Sequence, residues 1–192
     1  MSRAKILATI MCVFLSLTPA LARSRSDRDS RRNGAVEFFQ SISIGSQDIN
    51  ISVPESYELV HHDIIGRKQT IGFIPDNANM SNWNQYIGIH IELNSPKSAS
   101  ENITQLQQYL KKTYPGAQVL SSDISRARNG VQEASTSVLF TDEVGEVIMT
   151  ALYYSDSAKV VGTEVSQRVG KSTKRAQATA EKTAGRVLRL SR

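Results

Sequence analysis

Three histidines are the residues of this sequence whose chemistry could support acid–base catalysis or metal binding. His61 and His62 are adjacent and are followed by Asp63, whereas His90 lies in a run of isoleucines. Neighbouring residues of a strand point to opposite faces, so His61 and His62 could ligate one metal ion only if the chain bends. His90 would need another histidine or a carboxylate such as Glu92 beside it. The alternative interpretation is that all three are polar residues on the solvent side of a sheet.

Two aromatic residues could form a stacking platform for a sugar or a peptide. Trp83 is the single tryptophan, and Tyr86 follows it closely. The competing interpretation makes Trp83 a large core residue. The candidate ligand- or partner-binding residues are therefore Trp83, Tyr86, His61, His62 and His90. No pattern points to a catalytic, cofactor-binding or metal-binding set, and we expect no cofactor.

Sequence motifs of the common enzyme classes are missing. A glycine-rich dinucleotide motif, a Gly-x-Ser-x-Gly elbow and a His-x-x-x-His pair do not occur. The Gly-Lys-Ser triplet at 170–172 lacks the preceding glycine of a phosphate-binding loop, since Val165 stands there. These observations favour a protein that is not an enzyme. The alternative is a histidine-based, metal-dependent hydrolase.

The N-terminus has the features of a secretory signal peptide. Arg3 and Lys5 precede an apolar run at 6–17, which is shorter than the roughly 20 residues of a membrane-spanning helix. The Ala-Leu-Ala triplet that ends at Ala22 suits signal peptidase, so we predict cleavage after Ala22. Cys12 is the only cysteine, so the mature chain would have no thiol and no integral membrane segment. We expect a periplasmic or secreted protein.

Charge divides the chain into three parts. Residues 23–34 have five basic and two acidic side chains, 35–170 have nine and fifteen, and 171–192 have seven and one. The first part is expected to be a disordered basic linker. The last part has a net charge of +6 and the body −6, so docking of a solvated basic helix on the body is electrostatically favourable; a helix that projects free is the alternative. As an alternative function, the basic ends could contact an anionic membrane or nucleic acid, although the lack of aromatic residues after Tyr154 argues against nucleic acid.

The hydrophobic pattern predicts strands, then a helix, then strands and a final helix. Ile87, Ile89 and Ile91 alternate with polar or small residues and give the clearest strand signal. A helix is predicted after Ser98 or Ser100, and a basic helix at 172–190. In the later strands, Tyr153 and Tyr154 are predicted to lie on opposite faces, one in the core and one at the surface. We expect an α+β domain at 35–170 with a single antiparallel sheet covered by helices, followed by a basic C-terminal helix at 171–192.

Four segments in one order carry a family resemblance. They are VPESYELV at 53–60, IGFIP at 71–75, Asn-Trp at 82–83 and IGIHI at 87–91. The succession resembles small secreted bacterial proteins of uncharacterised role that have a PsbP-like α/β/α sandwich fold. The resemblance implies a non-enzymatic fold used for binding or assembly, and it brings no site residues with it. We therefore predict an exported, non-catalytic binding or assembly module for an unidentified protein or small-molecule ligand.

Overall fold

The computed structural model describes residues 36–126 and 130–191. The predicted signal peptide at 1–22 and basic linker at 23–34 lie outside the described residues. The elements follow one another as β1 Val36–Ile44, β2 Gln47–Pro54, β3 Tyr57–Ile65, β4 Lys68–Pro75, β5 Gln85–Leu93, α1 Ala99–Thr113, β6 Gln118–Arg126, β7 Gln132–Thr141, β8 Glu146–Ser155, β9 Lys159–Arg168, α2 Thr173–Val187 and β10 Leu188–Leu190. No helix in the described ranges is long and apolar enough to span a membrane.

The strands form two antiparallel sheets, so the prediction of a single sheet is wrong. The main sheet has seven strands in the order β3-β4-β5-β9-β8-β7-β6, and the smaller sheet has the order β1-β2-β10. β2 pairs with β10 through Leu188 opposite Ile51, and it does not continue into the main sheet. Alternation along β2 identifies its buried face but does not identify its neighbours, because β10 is 134 or more residues away in sequence.

The main sheet is covered on both faces, by different layers. On one face lie α2 and the small sheet, whose buried residues share a single core with those of the main sheet. The side chains of this core include Ile49, Ile51, Val53, Ile71, Phe73, Ile87, Ile89, Val161, Val165, Ala180, Ala184 and Val187. On the other face α1 packs mainly against β7 and β8. The strands of the main sheet that are far from α1 therefore have no helix above them on this second face, within the described part of the chain.

Helix α1 begins with a complete capping box. The Ser98 hydroxyl accepts from the backbone N–H of Glu101 at 3.3 Å, and the Glu101 carboxylate accepts from the backbone N–H of Ser98 at 2.7 Å. Ile103 and Leu110 are buried beneath the helix. The helix ends at Thr113, just before a Pro-Gly pair that cannot continue it. These interactions fix α1 over one half of the main sheet only.

Helix α2 docks through a stripe of small residues. Ser172 caps its N-terminus, and Ala176, Ala180, Ala184 and Val187 are buried. The sequence pattern extended this helix to Leu190, but the last three residues leave the helix and form β10 instead. Short side chains let the helix lie close to the flat sheet surface, and β10 then ties the end of the chain into the small sheet.

Candidate functional site

The half of the main sheet that α1 leaves uncovered forms the candidate site. On this side β3, β4, β5 and β9 expose a set of polar and small residues that we call the open face. The open face consists of His61, Thr70, Gly72, Tyr86, Gly88, His90 and Glu164. The strand register places Gly72 opposite Gly88, and Gly88 opposite Glu164. A row of residues from three neighbouring strands therefore crosses the sheet at one level.

A hydrogen-bonded cluster lies where the open face meets α1. The Tyr153 hydroxyl donates to Oε1 of Glu164 at 2.5 Å, and Nε2 of His90 lies 3.4 Å from Oε2 of the same carboxylate. The rings of His90 and Tyr153 are stacked, with centroids 6.2 Å apart. The side chain of Glu164 is only 18% exposed and that of His90 is 25% exposed. The carboxylate is thus enclosed and held by partners on both oxygens.

The surroundings of Glu164 decide its protonation. Burial by itself raises the pKa of this carboxyl, but the charge and hydrogen bond of His90 and the Tyr153 hydroxyl outweigh that effect, and Lys68 adds to them. Together they lower the pKa of Glu164 to about 2. Burial, together with the Glu164 charge, raises the pKa of Tyr153 well above its usual value. Glu164 therefore acts as an ionised acceptor and Tyr153 as a neutral donor.

Glycines let two tyrosine rings lie flat on the sheet. A β-carbon at Gly162 would overlap the ring of Tyr153, and one at Gly72 would overlap the hydroxyl of Tyr86. Tyr86 also lies over Gly88, where a β-carbon would come 3.3 Å from its ring. Burial, with a smaller effect of the Glu164 charge, raises the pKa of Tyr86 to about 12. These two neutral rings flank the histidine–glutamate pair and keep the open face flat.

A shallow cleft of about 30 Å³ opens beside this cluster. It is lined by Lys68, His90, Ile91, Glu92, Asn102, Tyr153 and Val160. Pockets that enclose a small-molecule ligand usually measure about 300–1,000 Å³, whereas a single water needs only ~10–15 Å³. The cleft has room for a water molecule or the end of one polar side chain. Within residues 36–126 and 130–191, no group of three or more His, Cys, Asp or Glu residues is placed to hold a metal ion.

The three histidines occupy different environments. His61 and His90 share the open face, where Nε2 of His61 lies 3.4 Å from the Thr70 hydroxyl. His62 points away from it, and its Nε2 lies 3.0 Å from the side-chain nitrogen of Gln69. The carboxylate that contacts His90 is Glu164 of β9, which lies opposite Gly88 in the sheet. A carboxylate beside His90 was expected, with Glu92 as the example, but the residue in that position is Glu164.

Trp83 is half-buried and packs against Arg168 and the residues beneath α1. The guanidinium carbon of Arg168 lies 4.3 Å from the centre of its ring, and Arg168 is held by a 2.6 Å ion pair with Asp142. Trp83 also packs against the core beneath α1, and its ring centroid lies 6.4 Å from that of Tyr86. One surface of the indole is thus covered by Arg168, and Tyr86 is the aromatic residue of the pair that belongs to the open face.

Sequence reasoning missed Glu164, Lys68 and Asn102, and it expected one residue of the Tyr153–Tyr154 pair at the surface. Both Tyr153 and Tyr154 are buried, with 5% and 6% exposure, so the prediction that one is a surface residue is wrong. They do lie on opposite faces, but β8 is covered by a helix on each side. One feature of the sequence could have identified Glu164 as a site residue: it is the only carboxylate of strand β9.

Comparison with solved structures identifies the fold class of the chain. No protein-family model and no curated protein matches the sequence. Among solved structures, the chain is similar to the solution structure of cyanobacterial PsbP (CyanoP) from Synechocystis sp. PCC 6803, with a TM-score of 0.53 and 11% sequence identity. The match covers 86% of this chain and 98% of that one. At this identity the likeness concerns the fold alone, and the chain has a PsbP-like α+β fold.

Proposed function

We propose that this protein is an exported, non-catalytic binding module that recognises an extended segment of a partner protein beside β3. The proposal rests on the exposed edge position of β3. β3 is a nine-residue edge strand with no buried residue, and among residues 36–126 and 130–191 its only strand neighbour is β4. An edge of this length offers unpaired backbone groups that another chain can join by strand addition.

The surroundings of β3 favour it over the opposite edge as a docking position. β6 is also an edge strand, but helix α1 lies over that half of the sheet, and Gln107 of α1 donates to Ser122 of β6. β3 instead borders the open face. Every second side chain of a strand added beside β3 would lie next to His61 and the open face.

Exposed apolar residues at one end of β3 support the same position. Ile64 is 63% exposed and Ile65 is 61% exposed, although both are large aliphatic residues. Leu93 is 45% exposed and adjoins them, since its backbone N–H donates to Arg67 in the β3–β4 turn at 3.0 Å. Ile64 and Ile65 point to opposite faces of β3, so a partner that covers either one would remove apolar surface from water, which is the main driving force for association.

The polar cluster is consistent with recognition rather than turnover. Both carboxylate oxygens of Glu164 already contact a neighbour, Tyr153 or His90. The cleft beside them is too small to enclose a substrate. Hydroxyl, imidazole and ammonium groups around such a cleft are suited to bind one polar group of a docked chain.

Export is the part of the proposal that depends on the sequence alone. The N-terminal charge, apolar run and Ala-Leu-Ala triplet support cleavage after Ala22 and a periplasmic or secreted location. Mass spectrometry of the protein isolated from its natural host should give a chain that starts at Arg23. A chain that starts at Met1 would contradict export.

Site-specific photo-crosslinking in the natural host tests the binding surface. A photoreactive residue at position 64 should give a discrete protein adduct, and the same residue at Val144, which is 69% exposed on the β7–β8 turn, should not. The added substitution Ile65→Lys should abolish the adduct, because an edge lysine opposes strand addition. An adduct that survives Ile65→Lys, or that forms equally at position 144, would refute docking beside β3.

One observation favours an enzyme as the second candidate. His90 and Glu164 form a histidine–carboxylate pair at a cleft, which is an arrangement that orients a general base. A histidine-based hydrolase would lose turnover in His90→Gln and keep it in His62→Gln, since His62 points away from the cleft. Such a result would contradict the non-catalytic proposal.

A further inference from the structure

The exposed side of α2 carries a concentration of positive charge. Together with one cation before the helix and one after it, we call this the cationic face. Its members, all exposed, are Lys171, Lys174, Arg175, Lys182, Arg186 and Arg189. The ion pairs within the described residues are His90–Glu164 and Arg168–Asp142, so none of these six cations is paired with a carboxylate there. The contact of α2 with the sheet is made by the alanine stripe, so the basic side of the helix faces solvent.

The cations on the helix point in one direction. At about 100° per residue, Lys174, Arg175, Lys182 and Arg186 fall within a sector of about 120°, opposite the buried stripe. Small exposed residues such as Ala178 lie between them. The only acidic residue of the helix, Glu181, accepts hydrogen bonds from Gln177 at 2.8 Å and Ser137 at 3.2 Å. The result is a basic surface about 18 Å long between Lys174 and Arg186.

The small sheet extends this surface and adds an aromatic residue. Arg189 of β10 lies opposite Asn50 of β2, and Ser52 of β2 lies opposite Phe39 of β1. Asn50 and Ser52 are two residues apart, so all four side chains are on the same, outer side of the small sheet. Phe39 is 66% exposed there. A bulky apolar side chain thus lies two strands away from the last cation, with β2 between them.

We infer that α2 and the small sheet form a docking surface for an anionic phospholipid bilayer. Both layers lie on the same side of the main sheet, so their outer surfaces face the same way. Lysine and arginine bind anionic headgroups, and an aromatic ring enters the interfacial region. Recognition of single-stranded nucleic acid would use several aromatic rings among the cations, but α2 has none and the small sheet exposes only Phe39. This surface is on the opposite side of the main sheet from the open face.

Vesicle co-sedimentation of the protein with its natural N-terminus tests the inference. The protein should bind vesicles that contain phosphatidylglycerol and not vesicles of phosphatidylcholine alone, and about 1 M salt should release it. Each cation near the surface contributes about fivefold to binding, so Lys182→Gln with Arg186→Gln should weaken it about 25-fold. The matched control, Lys111→Gln with Lys112→Gln, removes the same charge from exposed positions of α1 on the other side of the sheet.

A separate variant tests how much Phe39 contributes to vesicle binding. Phe39→Ser should weaken binding to the anionic vesicles about tenfold, whereas Val144→Ser, equally exposed but distant in the fold, should not. The inference is overturned if the two double variants lose binding equally, which would indicate net charge alone, or if phosphatidylcholine vesicles bind as well. It is also overturned if duplex DNA displaces the vesicles and Phe39→Ser has no effect, since nucleic acid would then be the ligand. Thermal unfolding of each variant verifies that it is folded.

Discussion

Replacing Glu164 by glutamine should reveal how strongly the open-face cluster stabilises the fold. The lowering of its pKa from 4.5 to about 2 means that the folded protein favours the ionised carboxylate. Each pKa unit is worth about 1.4 kcal/mol, so the cluster contributes at most about 3 kcal/mol to the free energy of unfolding. Because the pKa is lowered in the folded state, this contribution is present above pH 4.5 and is lost as the pH falls toward 2.

Urea-induced unfolding at a series of pH values measures this contribution. At about pH 6, Glu164→Gln should be less stable than the parent protein by up to about 3 kcal/mol, and the difference should shrink as the pH falls toward about 3. Glu58→Gln is the control, because Glu58 is exposed on β3 and its loss should change stability by less than about 0.5 kcal/mol. A difference between parent and Glu164→Gln that is constant with pH would refute the electrostatic interpretation of the cluster.

Three further substitutions test the packing that positions the site. Gly162→Ala should cost about 1–3 kcal/mol of unfolding free energy, because its methyl group overlaps the ring of Tyr153; full stability in a urea titration would contradict this contact. Ala180→Asp should cost more than about 3 kcal/mol by burying an unpaired carboxylate under α2, whereas Ala178→Asp on the exposed side should cost little; equal melting temperatures would contradict the docking of α2. Ser98→Ala should cost about 1 kcal/mol through loss of the α1 cap, and an unchanged urea midpoint would argue against that cap.

Local elements of the fold were predictable where a short stretch of sequence specifies them. The Ser98 cap and the Pro-Gly pair after α1 set both ends of that helix, and the alternating isoleucines of β5 are buried as predicted. The division into two sheets was not predictable. It depends on the pairing of Leu188 with Ile51, two residues that are far apart in sequence and carry no pairing signal.

The site was predictable only in part, because it is assembled across strands. Tyr86, His61 and His90 were named from their types, and they share the open face. Glu164 reaches His90 only through the register between β5 and β9, which alternation within one strand does not reveal. The burial of Tyr153 as well as Tyr154 was not predictable, because it depends on α1 lying over β8.

The distribution of charge identified the C-terminal helix as basic but could not show how it docks. A sum of charges cannot tell which side of a helix faces the sheet. The alanine stripe fixes that side, since burying it requires the opposite side, with Lys182 and Arg186, to face solvent.

Hydrogen–deuterium exchange on the complex with the crosslinked partner tests strand addition beside β3 most directly. β3 and β6 are the two edges of the main sheet, so each serves as the control for the other. Partner binding should slow the exchange of backbone amides in β3 and leave those of β6 unchanged, because an added strand hydrogen-bonds the amides of the edge that it joins. Protection of β6 or α1 with unchanged exchange in β3 would contradict the proposed binding module.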